Sequence, residues 1–122
     1  MIAVVEGGLL VATVGCVLAN AFEVAAKTVR AQFVMQNTAE VGVAPRWVPY
    51  LAIIEGAGVA GLVIGLLGLP LIGLAAAVGL VLFFLGAVGV HVRAGVLYNI
   101  AFPMVFLGLA IAALGYFAWG TG

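Results

Sequence analysis

Polar side chains interrupt this chain rarely, and their positions divide it into four long apolar stretches. The first covers residues 2–24, broken only by isolated polar groups such as Glu6 and Asn20. Between Glu55 and His91 no charged residue occurs. At ~1.5 Å rise per residue, that run is too long for a single crossing of a ~30 Å hydrocarbon core. It must turn, and Gly68-Leu69-Pro70 is the place, because proline cannot continue a helical hydrogen-bond ladder. The pattern therefore predicts spans over about 48–69 and 71–92 joined by a tight hairpin, and a last span over about 96–119. Lipid leaves unpaired backbone groups unsatisfied and the alternation of a transmembrane strand is absent, so all four are expected to be helices. Residues 28–44 mix Val29, Phe33 and Val34 with Gln36, Asn37 and Glu40 at loosely helical spacing, which predicts a short interfacial helix. The expected fold is all-α, an integral membrane four-helix bundle forming one domain over 1–122.

Composition agrees with this pattern and removes several function classes. The chain has 122 residues, 67% of them hydrophobic and 7% charged, whereas a soluble domain is roughly 25% charged. Four spans use up the length, leaving no segment for a soluble catalytic domain. Four Lys+Arg balance four Asp+Glu, so no electrostatic footprint for nucleic acid exists. The lone Cys16 excludes an internal disulfide or a CxxC pair, and the lone His91 argues against a metal or haem site built from this chain alone. No cofactor is required by these residues. The first stretch has Ala19-Asn20-Ala21, similar to a signal cleavage site, but it carries Glu6 and lacks a basic n-region, so it reads as a span.

The charges then set an orientation. Lys27, Arg30 and Arg46 fall between the first and second spans and Arg93 between the third and fourth. The positive-inside rule places both loops in the cytoplasm and both termini outside. Trp47 and Tyr50 at one boundary, and Tyr116 and Trp119 at the other, read as aromatic belts. Small residues recur in steps of three, four or seven: Gly8, Ala12, Gly15 and Ala19; Ala57, Gly61 and Gly65; Ala75, Gly79 and Gly86; Gly108, Ala112 and Gly115. Such faces let helix backbones approach closely in lipid.

Candidate chemistry gathers at the cytoplasmic end, where Asn20, Glu23, Lys27, Glu55, His91 and Arg93 converge with Asn99 nearby. Glu23 and Lys27 stand at i,i+4 in the favourable order. Glu55 lies roughly 10 Å into its span by helix rise, an expensive depth for a carboxylate that must find a partner or stay protonated. Two readings stay open: a buried polar network that sets helix register, or a proton-carrying or ligand-binding site with Glu55 and His91 as the titratable pair.

At these residues the chain resembles the DoxX-like family of small bacterial four-helix membrane proteins. The resemblance runs through Ala26-Lys27-Thr28, Val41-Gly42-Val43-Ala44-Pro45-Arg46-Trp47-Val48-Pro49, Ile54-Glu55-Gly56-Ala57-Gly58 and the stretch from Gly86 to Gly95 containing His91-Val92-Arg93. Pro103 in the last span also fits. The resemblance implies a redox-associated subunit of the bacterial cytoplasmic (inner) membrane, near quinone. Val96 stands where members often carry Asp, and Thr28 where Leu is usual, so no charge relay is carried over at that loop.

Three functions are expected to compete. One is an accessory subunit of a membrane redox or oxidative-stress system, with Glu55, His91 and Arg93 lining a quinone or lipid-headgroup site and Trp47 or Tyr50 stacking on the ring. The second is a structural or interaction protein without ligand chemistry. The third is a small carrier of protons or hydrophobic molecules. Expected partners are the bilayer, further copies of the chain or other membrane redox proteins, and no nucleic acid.

Overall fold

The computed structural model describes residues 1–121. It contains α1 (Ile2–Thr28), α2 (Gln32–Glu40), a 3-10 turn (Pro45–Trp47), α3 (Val48–Leu66), α4 (Pro70–Ala94) and α5 (Ala101–Thr121), with no strand among the described residues. Four of these helices are long and apolar enough to cross a membrane. They form a closed ring in which α1 packs on α3, α3 on α4, α4 on α5 and α5 back on α1. Large apolar side chains such as Ile2, Val11, Leu18, Ile53, Leu82 and Ile111 remain exposed on the outside of the ring. In lipid that surface is the solvated one.

Local chemistry explains the breaks between helices. Gly68 at φ +128° and Pro70 at the first position of α4 make the hairpin, where the missing proline N–H would have had no helical partner anyway. Arg30, at φ +55°, turns the chain from α1 into α2. Gly95, left-handed at φ +72°, ends α4. Residues 96–100 then form turns, so the last helix starts at Ala101, five residues later than its apolar run suggests. Pro103 consequently falls in the first turn of α5, where it removes no helical bond. At its other margin α1 continues past residue 24 to Thr28, and its length of 27 residues corresponds to ~40 Å, beyond the ~30 Å core.

Packing differs along the bundle. At the hairpin end the α3–α4 contact is made by small residues. A Cβ built on Gly65 would lie 2.5 Å from Gly73 Cα, and one on Gly61 would lie 2.5 Å from Ala76 Cβ. Phe117 of α5 fills the adjoining space, its ring 2.5 Å from where a Cβ on Gly73 would sit. Of the expected small-residue face of α3, Gly61 and Gly65 are in contact while Ala57 is exposed, and on α4 the contacting residues are Gly73 and Ala76, one face away from Ala75, Gly79 and Gly86. Gly8, Gly79, Gly86 and Gly108 have nothing near an added Cβ. On α1 the buried stripe is Thr13, Cys16 and Asn20, beside the stripe that steps of four from Gly8 select. Spacing defines each small-residue face, while packing decides which face turns inward.

α2 lies against the opposite end. Its Val34 packs with Ala26 and Val48, and Phe33 stacks on Phe22 of α1 at 6.2 Å between ring centroids. Gly65→Ala is expected to lower stability by about 1–3 kcal/mol, because backbone must move to admit the methyl group. Gly79→Ala should be neutral or stabilising by up to ~1 kcal/mol through helix propensity. Thermal melting of both variants in one detergent compares the two.

Candidate functional site

Three helices build the polar end. Steps of three and four residues bring Asn20, Glu23 and Lys27 to one side of α1, and Glu55 faces them from α3. Lys27 Nζ donates to Glu55 Oε1 at 2.7 Å and to Glu23 Oε2 at 3.3 Å. Glu55 is fully buried, and the Lys27 side chain is 11% exposed. The ammonium also stands 5.9 Å from the centroid of the Phe83 ring, within cation–π range. The deep carboxylate thus has its partner, and the partner comes from a different helix.

Asn20 lies deeper in the core. Its Nδ2 donates to the Cys16 carbonyl at 2.8 Å, and Cys16 Sγ lies 3.4 Å from it. On α4, His91 is almost fully buried and its Nδ1 is 2.8 Å from the Ala87 carbonyl, one turn back. Asn20 Oδ1, Glu55 Oε2, His91 Nε2 and Asn99 Oδ1 are buried and have no hydrogen-bond partner among the described residues.

His91 lines a cavity of about 320 Å³ together with Glu23, Lys27, Phe83, Phe84 and Phe106, at the lower end of the ~300–1,000 Å³ range of small-molecule sites. Thr38 of α2 and Phe102 and Pro103 at the start of α5 also border it. A second cavity of about 490 Å³ adjoins it under α2 and shares Glu23, Lys27, Asn37, Thr38 and Phe102. α2 is held over this space by the 97–100 turn. Asn99 Nδ2 donates to Asn37 Oδ1 at 2.9 Å, and the Tyr98 hydroxyl donates to Glu40 Oε2 at 2.5 Å. That bond pushes the Tyr98 phenol above its usual range, since ionisation would remove the donor and set two negative charges together.

The structure thus brings Glu23, Lys27 and Glu55 into one ion cluster and puts His91 in the cavity beside Glu23 and Lys27. It does not pair His91 with Glu55, which points to Lys27 and is absent from the cavity wall. Arg93 is exposed, with its guanidinium near Gly42. Two residues along a helix is a rotation of ~200°, which carries Arg93 to the far side of α4 from His91. Trp47 is half exposed, between Arg46 at 5.4 Å and Tyr50 at 5.7 Å. Trp47 and Tyr50 stay on the outside of the bundle, and the rings on the cavity wall are phenylalanines instead. Phe83 meets Phe84 edge-on at 5.0 Å, and Phe84 meets Phe106 at 5.3 Å. The α4 part of this wall has a sequence signal, because Phe84, Ala87 and His91 stand at i, i+3 and i+7 on one helix face.

Fold and site together define a small multi-pass membrane protein: a four-span helical bundle in which small residues bring α3 and α4 together toward the hairpin, with a polar-edged cavity at the other end. The chain belongs to the DoxX-like family, whose model matches residues 11–113. Neither the curated proteins nor the solved structures contain a significant match to it.

Lys27→Met leaves the Glu55 carboxylate buried without a counter-charge and is expected to cost about 3–5 kcal/mol. Adding Glu55→Gln to that variant should recover part of the loss. A double-mutant cycle of melting transitions in detergent measures this coupling, and simple additivity would count against the ion pair.

Proposed function

We propose that this protein is a non-catalytic, ligand-binding subunit of a membrane redox or oxidative-stress system, and that it holds a quinone or a lipid at the polar end of its bundle. The observation carrying this reading is the 320 Å³ cavity, walled by phenylalanines on α4 and α5 and edged by His91, Lys27 and Glu23. An apolar body with a few convergent polar groups is the general form of a small-molecule site. A ring or acyl chain would occupy the phenylalanine-lined part, with the polar head toward His91 and Lys27. The redox association rests on the family. Within this reading Glu55 is a positioning residue that acts through Lys27, and Arg93 and Trp47 serve at the membrane boundary.

A structural role for the ion cluster has its own support, because Lys27 ties α1 to α3 through Glu55. The two roles separate experimentally. Mass spectrometry of protein purified in mild detergent is expected to find a retained quinone or phospholipid. Phe84→Ala with His91→Ala should lose it by several-fold while the fold persists by circular dichroism. Purified protein without any retained amphiphile, together with a lowered melting temperature in the variant, would favour the purely structural role.

We also propose that the α2 end faces the cytoplasm, with both termini outside, in a bacterial cytoplasmic membrane. Lys27, Arg30, Arg46 and Arg93 all belong to that end. A cysteine at the exposed Gln36 should resist an impermeant thiol reagent in intact cells and react after permeabilisation. Labelling in intact cells would invert the topology.

A further inference from the structure

The cavity edge carries information about its ligand that its size and apolar lining do not. His91 Nδ1 lies 2.8 Å from the Ala87 carbonyl oxygen. Two acceptors at that distance would repel, so Nδ1 carries the proton and donates to the carbonyl. In the neutral ring the other nitrogen is then a bare lone pair. That atom, Nε2, is buried, it belongs to a side chain only 4% exposed that lines the cavity, and it has no partner among the described residues. A buried acceptor in this condition costs free energy until a donor reaches it.

The adjoining cavity repeats the pattern. Asn99 uses its amide nitrogen on Asn37, and its Oδ1 remains buried without a donor. Thr38 spends its hydroxyl hydrogen on the Val34 carbonyl. Lys27 is the cation at the edge, and it already gives hydrogen bonds to Glu23 and Glu55, leaving one of its three N–H groups. A hydroxyl meets both conditions. Its hydrogen suits an acceptor such as His91 Nε2, and its oxygen suits a donor such as the remaining Lys27 N–H. A carbonyl or ether oxygen accepts from Lys27 but leaves Nε2 unsatisfied.

We propose that the cavity selects amphiphiles whose ring bears a hydroxyl group, and that His91 Nε2 is the atom that reads it. Phenolic and hydroquinone rings are favoured over their ether or quinone counterparts, because Phe83, Phe84, Phe102 and Phe106 offer edge and face contacts to a ring while His91 takes the hydroxyl proton in a hydrogen bond. This selection rests on the amphiphile-binding reading above and narrows its ligand class. His91 is thereby a specificity-determining residue for the head group.

The test uses the full chain in lipid nanodiscs with two probes, para-decylphenol and its O-methyl ether. The ether partitions into lipid at least as well as the phenol, so a preference for the phenol cannot come from partitioning. The phenol is expected to bind about tenfold tighter or more, the factor that one unsatisfied buried acceptor supplies. His91→Phe should abolish the preference while both probes still bind, and His91→Gln, which can offer an amide oxygen, should keep part of it. Equal affinity of phenol and ether for the wild-type protein, as expected if a water satisfies Nε2, overturns the selection and leaves amphiphile binding standing. Binding of neither probe overturns amphiphile binding and the selection with it. The wild-type comparison decides the matter even if His91→Phe fails to fold.

Discussion

The arrangement of the bundle depends on one ammonium group placed between two carboxylates. A carboxylate roughly two turns inside a membrane span is among the most expensive side chains a helix can carry, and Glu55 is buried completely. Lys27 reaches it from α1 at 2.7 Å while keeping Glu23 at 3.3 Å. Because the charges cannot be satisfied by lipid, this contact admits only a narrow choice of rotation and height for α1 against α3. Hydrophobic burial could not impose that choice, since a leucine is as well solvated by acyl chains as by another helix.

Sterics take over at the other end. Gly65 meets Gly73 and Gly61 meets Ala76, and the side chains facing each other across α3 and α4 grow toward the polar end, where Leu80 stands over Gly58 and Phe83 and Phe84 follow. Gly58, Gly61 and Gly65 thus let α4 approach α3 closely over two turns. The cavity beside His91 lies beyond these contacts toward the polar end, and Phe117 packs on Gly65 and Gly73 at the hairpin end. α2 and the 97–100 turn then cover the wide end through Asn37–Asn99 and Glu40–Tyr98. Cover and most of the charge therefore concentrate at one end of the molecule, while a separate cavity of about 410 Å³ opens at the hairpin end beside Glu6, Gly65, Pro70 and Tyr116.

Much of this was legible in the residues. The absence of charge between Glu55 and His91, the break at Gly68–Pro70 and the mixed stretch after Thr28 determined four spans, a hairpin and a short extra helix, because a bilayer tolerates few alternatives. The i,i+4 spacing of Glu23 and Lys27 determined their pairing, and the depth of Glu55 determined that it needed a partner. Helix ends were less visible. The start of the last helix at Ala101 depends on Gly95 turning left-handed, and hydropathy does not register a turn made of Val96, Leu97 and Ile100.

Tertiary structure decided what spacing leaves undetermined. Which small-residue face of α4 turned inward was settled by fit against Gly58, Gly61 and Gly65 of α3 and Phe117 of α5, since every face of such apolar helices is equally at home in lipid. That Glu55 belongs to Lys27, that His91 lines a cavity with its Nε2 unpartnered among the described residues, and that Arg93 and Trp47 stand outside it all depend on rotations of whole helices about their axes. The Asn37–Asn99 and Glu40–Tyr98 contacts join residues about sixty apart in sequence, and no local pattern announces them. The sequence by itself determined a charge-poor four-span bundle with its polar groups at one end, because burial of backbone and charge in lipid is unforgiving. Only packing decided which of those groups neutralise one another and which remain open to a ligand.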